Sequence, residues 1–153
     1  MVVVDTDELG GIFTESLIEV VSTISSLSID VLSTERDMAF DEIVSAMSLN
    51  SSRGGLLFLS AGCGDMRTFC AYMTGAHGDE ITLDDMRDTL CELLNMTAGN
   101  AKVRLQDTEL MFSLSTPVII SGKDISVISK KRSAVISRRL GNEEVSVKLI
   151  AVY

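Results

Sequence analysis

The sequence predicts an α+β domain in which three helices pack on a mostly antiparallel sheet. Three observations predict it. Helical apolar spacing recurs in separate segments, short β-forming runs are divided by turn signals, and the order reads helix, strands, helix, then helix, strands again. That order hints at two related halves. At 153 residues the chain has the length of one domain and can bury a core, so a single domain over residues 1–153 is expected. Hydrophobic residues at 46% and charged residues at 23% suit a globular chain rather than a disordered one.

Phe13, Leu17, Val20, Val21 and Ile24 repeat with helical spacing behind a possible cap among Asp5 to Asp7, which predicts a helix over about 7–27. A short extended piece over 29–33 follows. Strands are expected over 42–49 and 55–60, joined by the polar, glycine-bearing connection Asn50-Ser51-Ser52-Arg53-Gly54. Cys63, between Gly62 and Gly64, reads as a turn before a second helix over 65–73, which Gly75-Ala76-His77-Gly78-Asp79 ends. Thr82 with Asp85 three residues on resembles a capping box and opens a third helix running to about Val103 or Leu105. Strands over 109–115, 117–121, 133–140 and 145–153 complete the chain, with Gly141-Asn142 as the turn between the last two.

Much chemistry is excluded. The net charge of −9 opposes nucleic acid and anionic membrane, because binding phosphates needs a basic surface that displaces counterions. The N-terminus lacks the basic and apolar regions of a signal peptide, and no run approaches the length of a membrane span. Cys63, Cys70 and Cys91 are odd in number and form no C-x-x-C pair, so a reducing compartment, the cytoplasm, is expected. The single histidine, His77, has no G-x-S-x-G elbow beside it and reads as a solvated loop residue. One histidine and dispersed cysteines do not make a zinc site, and Gly122-Lys123-Asp124 is no P-loop. The acidic group Asp79, Glu80, Asp84, Asp85 and Asp88 is read as carboxylates favoured by a helix dipole, at roughly 0.3–1 kcal/mol each, rather than as a magnesium site. Lys130-Lys131-Arg132 and Arg138-Arg139 read as a solvated strand face. No cofactor or metal is expected.

One constellation remains, on the third helix. At about 100° per residue, Leu83, Met86, Leu90, Leu93, Leu94, Thr97 and Ala101 fall within an arc of about 100°, the expected buried face. Asp88, Glu92, Asn95 and Gly99 fall within about 60° of one another on the opposite side, flanked by Cys91 and Met96. Any amphipathic helix has a polar face. Asn and Gly, however, are poorer helix formers than Ala or Lys by roughly 0.5–1 kcal/mol. A glycine beside a carboxylate and an amide leaves room for another backbone to approach.

The run Asp88-Thr89-Leu90-Cys91-Glu92-Leu93-Leu94-Asn95-Met96-Thr97-Ala98-Gly99-Asn100-Ala101-Lys102 resembles the signature helix of the CheC/CheX/FliY phosphatases of bacterial chemotaxis, the CheX type most of all. Those proteins show an acidic or serine residue, a Glu, an Asn and a later proline, and Asp88, Glu92, Asn95 and Pro117 match in order. The first helix, the hairpin with Arg53-Gly54-Gly55 and the second helix also look similar. The resemblance implies the two-half CheC/CheX-like architecture, a homodimer, and a phosphorylated CheY-like receiver as partner and substrate. The CheC type carries two such helices. Here the first helix has Glu15 and Glu19 but no E-x-x-N, so one site is expected, as in the CheX type.

The resemblance also assigns roles. Asn95 would place a water in line with the receiver's aspartyl phosphate, and Glu92 would pair with the receiver's lysine. Asp88, Cys91, Met96 and Gly99 would contact the partner. Magnesium is expected on the receiver, which supplies the electrostatics of phosphoryl transfer itself. The competing expectation is a non-catalytic module of the same fold that binds a receiver or a flagellar-switch component, or a dimeric scaffold.

Overall fold

The computed structural model describes residues 3–128 and 134–153. Helix α1 spans Thr6–Ser25, and Asp5 caps it by accepting from the Glu8 backbone N–H at 2.8 Å. Strands β1 (Asp30–Glu35), β2 (Ile43–Asn50) and β3 (Leu56–Ala61) follow, then α2 (Cys63–Thr74), a 3₁₀ turn (Gly78–Glu80) and α3 (Leu83–Arg104). Strands β4 (Ser113–Leu114), β5 (Val118–Ile120), β6 (Val135–Gly141) and β7 (Ser146–Val152) close the chain. The expected seven strands and three helices are present in the expected order, and all strand pairs are antiparallel.

The strand order is β1-β6-β7-β3-β2-β4, with β5 also paired to β2. With β5 taken as the end strand beside β2, exchanging β1, β2 and β3 with β5, β6 and β7 gives the same order read from the other end. This is the two-half arrangement, with α1 and α3 as equivalent helices and α2 in the link. Turn chemistry enforces it locally. Gly54 takes φ +69° in the β2–β3 connection, where a side chain would be strained. A Cβ on Gly141 would lie 2.1 Å from the Val145 carbonyl oxygen, so only glycine fits there. The Asn142 side chain then accepts from the backbone N–H groups of Glu144 and Val145 at 2.8 and 3.1 Å.

The helices cover one face of the sheet. Phe13 and Leu17 of α1 and Leu90, Leu93 and Leu94 of α3 are fully buried with Leu57, Leu59 and Leu149 of the strands. The other face carries a smaller cluster, Val44, Ala46, Phe58, Ile150 and Val152, with Met38, Phe40, Ile120 and Val127 packed on it. Among the described residues, no helix is long and apolar enough to cross a membrane.

Three expectations need correction. The strand expected over 109–115 is only Ser113–Leu114, because Leu105 to Met111 turn on backbone bonds between Thr108 and Leu105 and between Met111 and Thr108. Leu83 is 43% exposed, since it opens α3 ahead of Met86, the first buried side chain of the helix. Arg138 and Arg139 are half-buried and paired rather than solvated. Strand alternation sends them to opposite faces. Arg138 donates to the Thr14 hydroxyl on α1 at 2.8 Å, and Arg139 pairs with Glu35 and Asp41 at 3.2 and 3.1 Å. The run Lys130-Lys131-Arg132 lies outside the described residues.

Lys148 on β7 joins the Arg139 cluster. It is 1% exposed and pairs with Glu35 at 2.6 Å and Asp37 at 2.7 Å. Burial pulls its ammonium toward the neutral form, but the Asp37 and Glu35 carboxylates override this and hold its pKa above the ordinary lysine value. Lys148 in turn holds the Glu35 carboxyl below its usual range, with help from Arg139, and does the same for Asp37. A carboxylate with a lowered folded-state pKa stabilises the fold above the unfolded value of about 4 and loses that contribution as pH falls below it. Glu35→Gln should therefore lower stability at pH 7 by roughly 1–2 kcal/mol, the difference between charged and neutral hydrogen bonds. It should also flatten the loss of stability between about pH 5 and pH 2. Urea denaturation of both proteins across that range checks it; identical midpoints at pH 7 would show that the cluster contributes nothing.

Candidate functional site

Helix α3 is fixed at both ends before its polar face is considered. At its start, the Asp85 backbone N–H donates to the Thr82 hydroxyl at 3.1 Å and the Thr82 N–H donates to the Asp85 carboxylate at 2.8 Å, completing the capping box read from the sequence. At its end, Arg104 donates to Asn100 at 2.8 Å and pairs with Glu15 at 2.9 Å and with Glu19, tying α3 to α1. Between the ends, Met86, Leu90, Leu93, Leu94, Thr97, Ala98 and Ala101 are buried. The Thr97 hydroxyl is satisfied by the Leu93 carbonyl at 2.7 Å, and Ser45 on β2 donates to the Leu90 carbonyl at 3.4 Å. The helix cannot rotate without exposing this stripe.

Asp88, Glu92 and Asn95 consequently face outward and are exposed. Several other polar residues of α3 are engaged: Asp85 in the cap, Asp84 with Arg87, and Asn100 with Arg104. Among the described residues, no hydrogen bond or ion pair engages Glu92 or Asn95. These two side chains lie one turn apart in a depression of about 410 Å³, lined by Asp88, Cys91, Glu92, Asn95, Ser115, Thr116 and Pro117. Pro117 is brought to the helix from a distant part of the sequence by the segment between β4 and β5.

The two residues flanking the stripe separate. Cys91 faces the β4–β5 side and lines the depression. Met96 and Gly99 line a second one, about 470 Å³, on the α1 side with Glu19, Val20, Thr23, Asn100 and Val103. The helical rotation between Cys91 and Met96 puts them on opposite shoulders of the same ridge. A Cβ added to Gly99 would meet nothing within 4 Å, so no internal contact requires glycine there.

The electrostatics at this place disfavour the thiolate form of cysteine. Burial and the neighbouring Asp88 charge push the Cys91 thiol up, so it stays protonated near neutral pH and is a poor nucleophile. Cys70 and Cys63 are pushed up mainly by burial, Cys63 also by Glu42, and all three thiols are free. His77 is exposed at the start of the 3₁₀ turn, away from the depression. Among the described residues, no group of three His, Cys, Asp or Glu side chains could hold a metal ion. What the depression offers is two carboxylates, Asp88 and Glu92, an amide with one donor and one acceptor edge, and a rigid proline wall. Ser115 and Thr116 were not singled out from the sequence. A proline inside a β-forming run was the available signal, since it marks a bulge or an edge.

Comparison with known proteins identifies the fold and the family. No curated protein sequence matches the chain. The chemotaxis protein CheX from Vibrio vulnificus superposes with a TM-score of 0.81 at 20% identity, covering 95% of this chain and 98% of that one. CheX from Desulfovibrio desulfuricans gives 0.79 at 18% identity, with coverage of 95% and 99%. A chain of the CheX–CheY complex with beryllium fluoride and magnesium from Borrelia burgdorferi gives 0.68 at 14% identity, with coverage of 93% and 94%. At these identities the structures establish the shared fold. The family model of the chemotaxis phosphatase CheX matches residues 43–139, a stretch that holds α3, Pro117, strands β2 to β5 and most of β6, and the chain belongs to that family.

Proposed function

We propose that the protein hydrolyses the aspartyl phosphate of a CheY-like receiver, with Asn95 placing the attacking water and Glu92 docking against the receiver's lysine. The observation that carries this reading is the placing of an exposed carboxylate and an exposed amide, neither engaged among the described residues, one turn apart on a helix held at both ends. The Borrelia structure holds CheX with CheY, and the same class of partner is taken for this chain. Phosphoryl transfer needs charge neutralisation and alignment more than covalent chemistry. The receiver brings the magnesium and lysine. This chain then has to supply a positioned hydrogen-bonding group, and an amide serves without titrating. Asp88 adds negative charge for a basic receiver surface, and Gly99 and Met96 would take contact on the other shoulder. A homodimer belongs to the same reading; β1 is an outermost strand, with Val31 and Leu32 exposed along it.

Variants at three positions test the reading against a non-catalytic binding module. Asn95→Ala should slow phosphate release from a phosphorylated receiver by about 10²–10³-fold, as loss of one preorganised polar group does, with little change in thermal stability. Near-normal turnover would mean that another group places the water. Glu92→Lys should bind the receiver more weakly than Glu92→Ala, because like charges then face each other across the contact. Added salt should weaken the wild type more than Glu92→Ala. Equal affinities for all three at low and high ionic strength would reduce Glu92 to a solvated side chain. Gly99→Ala should stabilise the free protein by roughly 0.5–1 kcal/mol while weakening receiver binding. Melting curves with titration calorimetry read both signs; unchanged affinity would remove Gly99 from the contact.

A further inference from the structure

The segment that faces Glu92 and Asn95 is a bulge, and one hydroxyl holds it. Leu49 on β2 pairs with Leu114, and Ala46 pairs with Val118. Three steps along β2 are therefore matched by four along its neighbour, so Ser115, Thr116 and Pro117 oppose only Met47 and Ser48. Proline cannot donate to a ladder and is tolerated at such a place. The Leu49 N–H donates to the Gly55 carbonyl, on the β3 side, so by alternation the backbone groups of Ser48 point toward the bulge. They find no backbone partner in it. Instead the Ser115 hydroxyl accepts from the Ser48 N–H at 2.9 Å and donates to the Ser48 carbonyl at 3.0 Å. One side chain thus replaces both ladder bonds, which a hydroxyl can do because it donates and accepts.

Bulges re-aim side chains next to working sites. Here the extra residue turns Thr116 and Pro117 toward α3, where they line the depression with Asp88, Cys91, Glu92 and Asn95. We propose that Ser115 is a positioning residue: its clasp on Ser48 holds the Thr116–Pro117 wall against Asn95 and so sets the space in which the water is held. This rests on the phosphatase reading above. Ser115 itself acts through the backbone and touches no reacting atom.

The test uses Ser115→Ala, Ser115→Thr, which keeps the hydroxyl, and Ser115→Val, which matches Thr in shape but lacks it. Steady-state phosphate release from a phosphorylated receiver and the NMR resonance of the Asn95 side-chain amide are followed in each. The expected result is a fall in kcat of about tenfold or more for Ala and Val with KM within about twofold, as for a misplaced reacting group, and recovery in Thr. The Asn95 amide resonance should shift in Ala and Val and return in Thr. Wild-type kcat in Ala, or equal losses in Thr and Val, would overturn the proposal. Failure of Ala and Val to fold while Thr folds and turns over less than half as fast would also overturn it, since the clasp would then be structural only. If the wild type releases no phosphate from any receiver, the phosphatase reading fails; the Asn95 resonance then decides the clasp alone, and an unshifted signal in Ala refutes it.

Discussion

The burial of one stripe of α3 against β2 and β3 fixes nearly everything that the surface of this molecule can do. Leu90, Leu93, Leu94, Thr97, Ala98 and Ala101 are all inaccessible. Turning the helix by a single residue would expose several of them, at about 1.5–3 kcal/mol for each large apolar side chain. The rotation of the helix is thereby set by the core, and the outward direction of Glu92 and Asn95 follows from it. Neither side chain has to be held by partners of its own. Both remain available because the apolar residues do the positioning.

The same constraint explains why a site of this kind can consist of so little. A stiff helix with a capping box at one end and an arginine strap at the other presents its carboxylate and amide with fixed spacing. The sheet contributes the opposing wall through the irregularity between β4 and β5. Burial and the Asp88 charge push the Cys91 thiol up, and His77 lies outside the depression. The proposed reading asks of it only placing and docking, which are entropic and electrostatic tasks.

Much of this was legible in the chain because it rests on local rules. The Thr82–Asp85 box, the apolar period of α3 and the Gly141-Asn142 turn each follow from contacts within a few residues. What was not legible depends on non-local pairing. Arg138 and Arg139 look like a solvated pair until the strand alternates them onto two faces and carboxylates from β1 and the following loop meet one of them. The strand over 109–115 contracts because Leu110 and Phe112 are buried from turns rather than from a ladder. Ser115 carries no sequence signature at all, since its partner is the backbone of a residue 67 positions away.

The symmetric strand order places α1 and α3 in equivalent positions, yet the two helices are not chemically equivalent. The outward carboxylates of α1, Glu15 and Glu19, are both engaged by Arg104, which comes from the far end of α3. One half therefore engages the outward glutamates of the other while keeping its own face open. The consequence is stoichiometric. On the function proposed above, with the α3 ridge as the docking surface, the described residues of each chain offer a single seat, so a twofold assembly of chains would load two receivers.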